Sequence, residues 1–136
     1  MINPIGLDHV VLRVGDVTRA ITFYCDVLGC HVEKCQEAIG LVQLRAGRSL
    51  IDLVDIAGKL GREGGAAPGA EGRNMDHLCI RVEPFEGAAI QAHLKSHGVE
   101  PGPVVRRYGA EGDGPSIYLA DPDGNTVELK GPPGPA

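Results

Sequence analysis

Four residues of this chain have side chains and settings suited to metal and proton chemistry: His9, Asp52, His77 and Glu128. The two histidines lie in near-identical stretches, Leu7-Asp8-His9-Val10-Val11-Leu12-Arg13-Val14 and Met75-Asp76-His77-Leu78-Cys79-Ile80-Arg81-Val82. The two acids lie in Leu50-Ile51-Asp52-Leu53 and Thr126-Val127-Glu128-Leu129, each between apolar neighbours. A carboxylate in such a setting is costly to bury unless it is paired or bound to a metal. Two imidazoles with one or two carboxylates suit Zn²⁺, Ni²⁺, Mn²⁺ or Fe²⁺, and two His with one carboxylate and open positions suit non-haem iron. Taken singly, a His, Asp or Glu on a strand is more often structural or solvated than a ligand. Four of them at corresponding places of a repeat form a candidate ligand set.

The elements that must hold these residues follow from periodicity. Alternation marks Leu7–Val14 and Met75–Val82 as strands, with His9, Val11 and Arg13 on one face and Val10, Leu12 and Val14 on the other. His77, Cys79 and Arg81 oppose Leu78, Ile80 and Val82 in the same way. Asp8 and Asp76 then point away from the histidines and are expected to fix the local backbone. Asp16 is a candidate N-cap for a helix carrying Val17, Ala20, Ile21, Tyr24 and Leu28, stopped at Gly29. Strands are expected at 31–35, 39–45 and 49–55, completing β-α-β-β-β. The pattern restarts with a helix over 86–97 and strands over 104–108, 116–120 and 126–130, with a glycine-bearing loop at 109–115. Asp121-Pro122-Asp123-Gly124 has turn chemistry. The chain is therefore expected to be one α+β domain of two βαβββ modules, 7–56 and 75–130. A glycine-rich linker or flap at 57–74 would join them, and a frayed Gly/Pro tail would follow at 131–136.

Composition excludes several classes. The net charge is −5 and no Lys/Arg-rich run exists, which argues against a nucleic-acid partner. No apolar run has membrane-spanning length and no signal-peptide pattern opens the chain, so a cytoplasmic protein is expected. Cys25, Cys30, Cys35 and Cys79 lack paired spacing and read as reduced thiols.

The segments Leu7-Asp8-His9, Phe23-Tyr24-Cys25-Asp26-Val27-Leu28-Gly29, Met75-Asp76-His77 and Tyr118-Leu119-Ala120-Asp121-Pro122-Asp123-Gly124-Asn125-Thr126-Val127-Glu128 resemble the vicinal oxygen chelate superfamily. This is the glyoxalase/bleomycin resistance/dioxygenase group, and the resemblance runs from Leu7 to Lys130. It implies paired modules forming a U-shaped mixed sheet around a divalent metal, where substrate oxygens bind and an oxyanion is stabilised. It implies His9, His77 and Glu128 as metal ligands. Asp52 stands where glyoxalase I carries a ligand glutamate that doubles as proton-transfer base, one methylene shorter here, so it acts as ligand, as base, or through a bridging water. The resemblance also implies a homodimer in which His9 and Asp52 of one subunit meet His77 and Glu128 of the partner subunit.

A glyoxalase-like lyase or isomerase acting on a small oxygenated or thiol-conjugated substrate is the leading expectation, with Asp52, Glu128 and Tyr118 as catalytic residues. Tyr118, ten residues before Glu128, is a tyrosine of the kind found in extradiol dioxygenases and fosfomycin-type thiol transferases, which stand as the enzymatic alternatives. A metal-free drug-binding module is the alternative of another class. Arg106 and Arg107 are candidates for an anionic substrate group, and Arg13 and Arg81 for the same role or for pairing with acids along the strands. His93 and His97 share a helix face without an acidic partner and read as surface residues, and Cys79 as a pocket-lining but unreactive thiol.

Overall fold

The computed structural model describes residues 1–134. The chain divides into two compact units, Met1–Asn74 and a second that begins at Met75. The first contains β1 (His9–Val14), α1 (Val17–Thr22) continued by a π-helical turn (Phe23–Val27), β2 (His31–Gln36), β3 (Leu41–Ala46), β4 (Ser49–Asp55) and α2 (Lys59–Glu63). Its sheet has the order β1-β4-β3-β2, with β1 and β4 parallel and the other pairs antiparallel. The second contains β5 (Leu78–Arg81), α3 (Gly87–Ser96), β6 (Val105–Gly109), β7 (Gly112–Ala120) and β8 (Thr126–Lys130), ordered β5-β8-β7-β6 with β5 and β8 parallel. The α+β class and the repeated βαβββ module are as expected from the sequence.

Local chemistry explains the boundaries. The Asp16 carboxylate accepts from the Arg19 N–H at 3.0 Å and caps α1. Gly29, at φ 81°, supplies the left-handed residue that ends the helical run. The first core gathers Leu12, Val14, Ala20, Phe23, Tyr24, Leu44, Ile51 and Leu53, all buried. Leu78, Leu94, Ile117, Leu119, Val127 and Leu129 are buried in the second unit. β4 and β8 are interior strands of their sheets and are buried on both faces. Ile51 and Leu53, like Val127 and Leu129, line the core side, while Asp52 and Glu128 are only 4% and 5% exposed on the other.

Three segments differ from the sequence expectation. The loop expected at 109–115 is mostly strand, because Gly112 opens β7 and pairs with Gly109 across a two-residue turn. Glycines carry no side chain, so a strand rich in them shows no alternation. The stretch 57–74 contains α2 and is strapped to β1 by Arg13, whose guanidinium donates to the carbonyls of Gly61 and Gly65 at 2.8 Å and of Ala66 at 2.9 Å. At Gly61 a Cβ would fall 1.9 Å from the Asp55 carbonyl oxygen, so only glycine permits this close approach. The start of the expected tail continues the β8 line, with the Gly131 N–H donating to the Pro115 carbonyl at 2.8 Å. Pro135 and Ala136 lie outside the described residues. Among the described residues no helix is long and apolar enough to cross a membrane.

All four cysteines are free. Burial, with Cys25 adding, pushes the Cys30 thiol up to about 11, while Cys35 is exposed. Iodoacetamide at about pH 8 should alkylate Cys35 in the native protein and leave Cys30 unmodified until denaturant is added, as read by peptide mass spectrometry. Equal native labelling of both would contradict this packing.

Candidate metal and catalytic site

Strand register brings each histidine to its acid. In the parallel pair β1–β4, Val11 faces Asp52; in β5–β8, Cys79 faces Glu128. His9 and His77 each precede those residues by two and so share their face, diagonal to the carboxylate. The result is direct in the second unit, where His77 Nε2 lies 3.2 Å from Glu128 Oε1. In the first unit the Asp52 charge acts on His9.

The aspartates before the histidines do not point away from them. His9 Nδ1 meets Asp8 Oδ1 at 2.7 Å, and His77 Nδ1 meets Asp76 Oδ2 at 2.6 Å. Strict alternation predicts otherwise, but both aspartates precede the first regular residue of their strands, where the backbone is free to turn the carboxylate back. These bonds hold both imidazoles above the ordinary 6.5. Partial burial opposes the shift, and Asp52 or Glu128 adds to it. With Nδ1–H engaged by a carboxylate, Nε2 is left to face the site, which is the usual arrangement of a metal-binding histidine.

Glu128 sits in a cradle of donors. Ser116 Oγ–H donates to its Oε2 at 2.6 Å, and Tyr118 lies directly across β7–β8 from it. Burial alone would raise the Glu128 carboxyl. Hydrogen bonds from Ser116 and Tyr118, the His77 charge and the Cys79 thiol outweigh it and hold the group below its ordinary value of 4.5. Asp52 is held more loosely. Gln43 faces it across β3–β4 and donates Nε2–H at 3.3 and 3.5 Å. Gln43 therefore stands in module one where Tyr118 stands in module two. It went unnoticed in the sequence, although its place two strands from His9 on the same face is a matter of alternation.

The two arginine candidates separate. Arg107 shares the face of Tyr118, with its guanidinium carbon 5.8 Å from the ring centroid. Arg106 is on the opposite face and donates to the Gly134 carbonyl. Arg81 pairs with Glu111 at 2.9 Å, whereas Arg13 finds carbonyls rather than acids. Cys79 keeps surface in solvent, yet partial burial of the thiol, then Glu128 beside it, push it up to about 11, which makes it a poor nucleophile. His93 and His97 are exposed, their rings 4.8 Å apart. Asp121 accepts from the backbone N–H groups of Asp123 and Asn125 at 2.9 and 2.8 Å, so the turn motif is a structural knot that sets the entry to β8.

Each unit by itself thus offers one imidazole and one carboxylate, and no group of three or more His, Cys, Asp or Glu side chains is gathered among the described residues. An imidazole oriented through its Nδ1 and set beside a buried carboxylate, once in each unit, fits a divalent cation.

The chain belongs to the Glyoxalase/Bleomycin resistance protein/Dioxygenase superfamily, whose family model matches residues 6–129. Virulence protein STM3117 of Salmonella typhimurium is 31% identical over 90% of this chain and 81% of that protein. Its crystal structure superposes with a TM-score of 0.79, covering 98% of this chain and 100% of that one. Lactoylglutathione lyase of Haemophilus influenzae is 27% identical over 89% of this chain and 88% of that protein. Human mitochondrial methylmalonyl-CoA epimerase is 27% identical over 91% of this chain and 72% of that protein.

The Ser116 bond has a measurable consequence. A carboxyl held below its unfolded value stabilises the fold above that value and loses the contribution as pH falls through the folded one. Ser116→Ala in chelator-treated protein should therefore lower the unfolding free energy at neutral pH by roughly 1.5–3 kcal/mol. The deficit should shrink as Glu128 is protonated in acid. Urea titrations at neutral pH and near pH 3 check this, and a pH-independent deficit would contradict it.

Proposed function

We propose that the protein is a metal-dependent, glyoxalase-like lyase or isomerase acting on a small oxygenated or thiol-conjugated substrate. The observation that carries this reading is the Asp76–His77–Glu128 relay, with Nδ1 held at 2.6 Å and Nε2 3.2 Å from the carboxylate. That a lactoylglutathione lyase and an epimerase are both relatives supports it. His9, His77 and Glu128 would hold the cation, with Asp52 as fourth ligand or as base; Zn²⁺, Ni²⁺, Mn²⁺ and Fe²⁺ all suit this set. When bound, the cation supplies Lewis acidity that lowers the cost of negative charge on a substrate oxygen.

The chain's own carboxylates divide the remaining work. Glu128 is held ionised by Ser116, Tyr118 and His77, which suits an anchor and not a proton carrier. Asp52 has only the long contacts from Gln43 and is the better group to take a proton from a substrate carbon and return it. Tyr118, close to both Glu128 and Arg107, positions the substrate on this face. Its presence favours a fosfomycin-type thiol transferase or extradiol-type dioxygenase as the second reading. A metal-free binding protein would need none of these groups.

One imidazole and one carboxylate per module are too few to hold the cation, which takes three or four protein ligands. Following what the family resemblance implies, we place His9 and Asp52 of one subunit with His77 and Glu128 of the partner subunit in a two-fold dimer. Mixing inactive His9→Ala and His77→Ala subunits should then restore about one quarter of wild-type metal binding, because one site of each mixed dimer is intact. No restoration would place each site within one chain. Glu128→Gln should remove most metal affinity, and Asp76→Asn should cost about 10–100-fold. Asp52→Asn should leave binding largely intact while abolishing turnover of the hemithioacetal of methylglyoxal and a thiol. Wild-type protein that binds no divalent metal would overturn the proposal, and metal-loaded protein inert toward the hemithioacetal would overturn its lyase form.

A further inference from the structure

Lys130 ends β8 on the same face as Glu128, about 6.6 Å farther along the strand. It is 6% exposed, and its Nζ is fully buried with no hydrogen-bond partner among the described residues. A buried ammonium is costly unless an anion or several acceptors meet it. The acid on its own face is already engaged, since Glu128 accepts from Ser116 and meets His77, and Arg81, which faces Lys130 across β5–β8, is paired with Glu111.

The duplication provides an internal control. Val54 follows Asp52 by two residues, faces Arg13 on β1 and faces Leu41 on β3. Lys130 follows Glu128 by two, faces Arg81 on β5 and faces Ser116 on β7. Module one thus closes the equivalent position with a buried valine, so the fold itself does not call for a cation there. Module two instead clears space for one. A Cβ at Gly109 would lie 2.6 Å from Lys130 Cε, and a Cβ at Gly114 would lie 2.8 Å from Nζ. Gly114 is paired with Arg107, whose guanidinium lies over Tyr118. One face therefore carries an ammonium that is buried and unpartnered among the described residues, a bare glycine position beside it, an arginine that emerges opposite that glycine and reaches toward Tyr118, and the Glu128 carboxylate two residues away.

We propose that Lys130, with Arg107, forms an oxyanion subsite, and that the substrate carries a carboxylate, phosphonate or phosphate group that docks there. This rests on the reading of that face as the substrate site and narrows the substrate to a small organic anion. Gly109 and Gly114 are required because any side chain at either position would occupy the space of the lysine stem and head.

The test is isothermal titration of the chelator-treated, full-length protein with inorganic phosphate, chloride being exchanged to hold ionic strength constant. The wild type should bind phosphate saturably, Lys130→Met should weaken binding about tenfold or more, and Lys130→Arg should keep it within a few-fold. Val54 at the equivalent place shows that an apolar side chain is compatible with the module, so Lys130→Met is expected to fold. The ammonium ¹⁵N resonance of Lys130 in the wild-type protein should also move on phosphate addition, a measurement that needs no variant. Equal phosphate binding by wild type and Lys130→Met, or an unmoved Lys130 resonance, would overturn the subsite. Because metal is absent throughout, phosphate binding through Lys130 in a protein that never binds metal would sink the enzyme proposal and leave the subsite standing. Metal binding without a phosphate response would do the reverse.

Discussion

Parallel hydrogen bonding between β1 and β4, and between β5 and β8, decides which side chains meet in this protein. Val11 faces Asp52 and Cys79 faces Glu128, so the histidine two residues earlier lies diagonal to the acid in both modules. A slip of one residue would turn every side chain of the strand to the opposite face, sending the histidine into the core and Leu12 or Ile80 into the site. Burial of Leu12, Val14, Ile51, Leu53, Val127 and Leu129 prevents that slip. The hydrophobic faces of these strands thereby set the geometry of the polar ones. The Asp121–Asn125 turn adds a second lock by fixing where β8 begins.

Duplication has kept the frame and let the contents diverge. Gln43 and Tyr118 occupy equivalent places opposite the acid, as do Leu41 and Ser116, and Val54 and Lys130. Module one surrounds its carboxylate with an amide, an imidazole and apolar side chains. Module two surrounds its own with a hydroxyl, a phenol, a thiol and an imidazole, and adds a buried ammonium at the end of the strand. The environments push the two carboxylates toward different work, one anchored in its ionised form and one held by long contacts only.

Much of the fold was legible from alternation and turn chemistry. Strands of period two, an aspartate cap at Asp16 and the Pro-Asp-Gly turn each rest on local physics that a single sequence displays. The β7 extension was not legible, because Gly112 and Gly114 have no side chain with which to show a face. Nor was the order in 57–74, which depends on Arg13 reaching three carbonyls about fifty residues away.

The sequence by itself determined the two modules, a strand with a histidine and a later strand with an acid in each, and His9, Asp52, His77 and Glu128 as the candidate set. Only the structure paired the histidine strand with the acid strand. Tertiary structure alone decided that Asp8 and Asp76 turn back onto the imidazoles and that Gln43 and Tyr118 are counterparts. It also decided that Arg107 and not Arg106 shares the face of Glu128, and that Lys130 is buried without a hydrogen-bond partner among the described residues. The reason is physical. Periodicity reports the face on which a side chain emerges, whereas the atom it meets depends on the register of a neighbouring strand that local sequence does not specify.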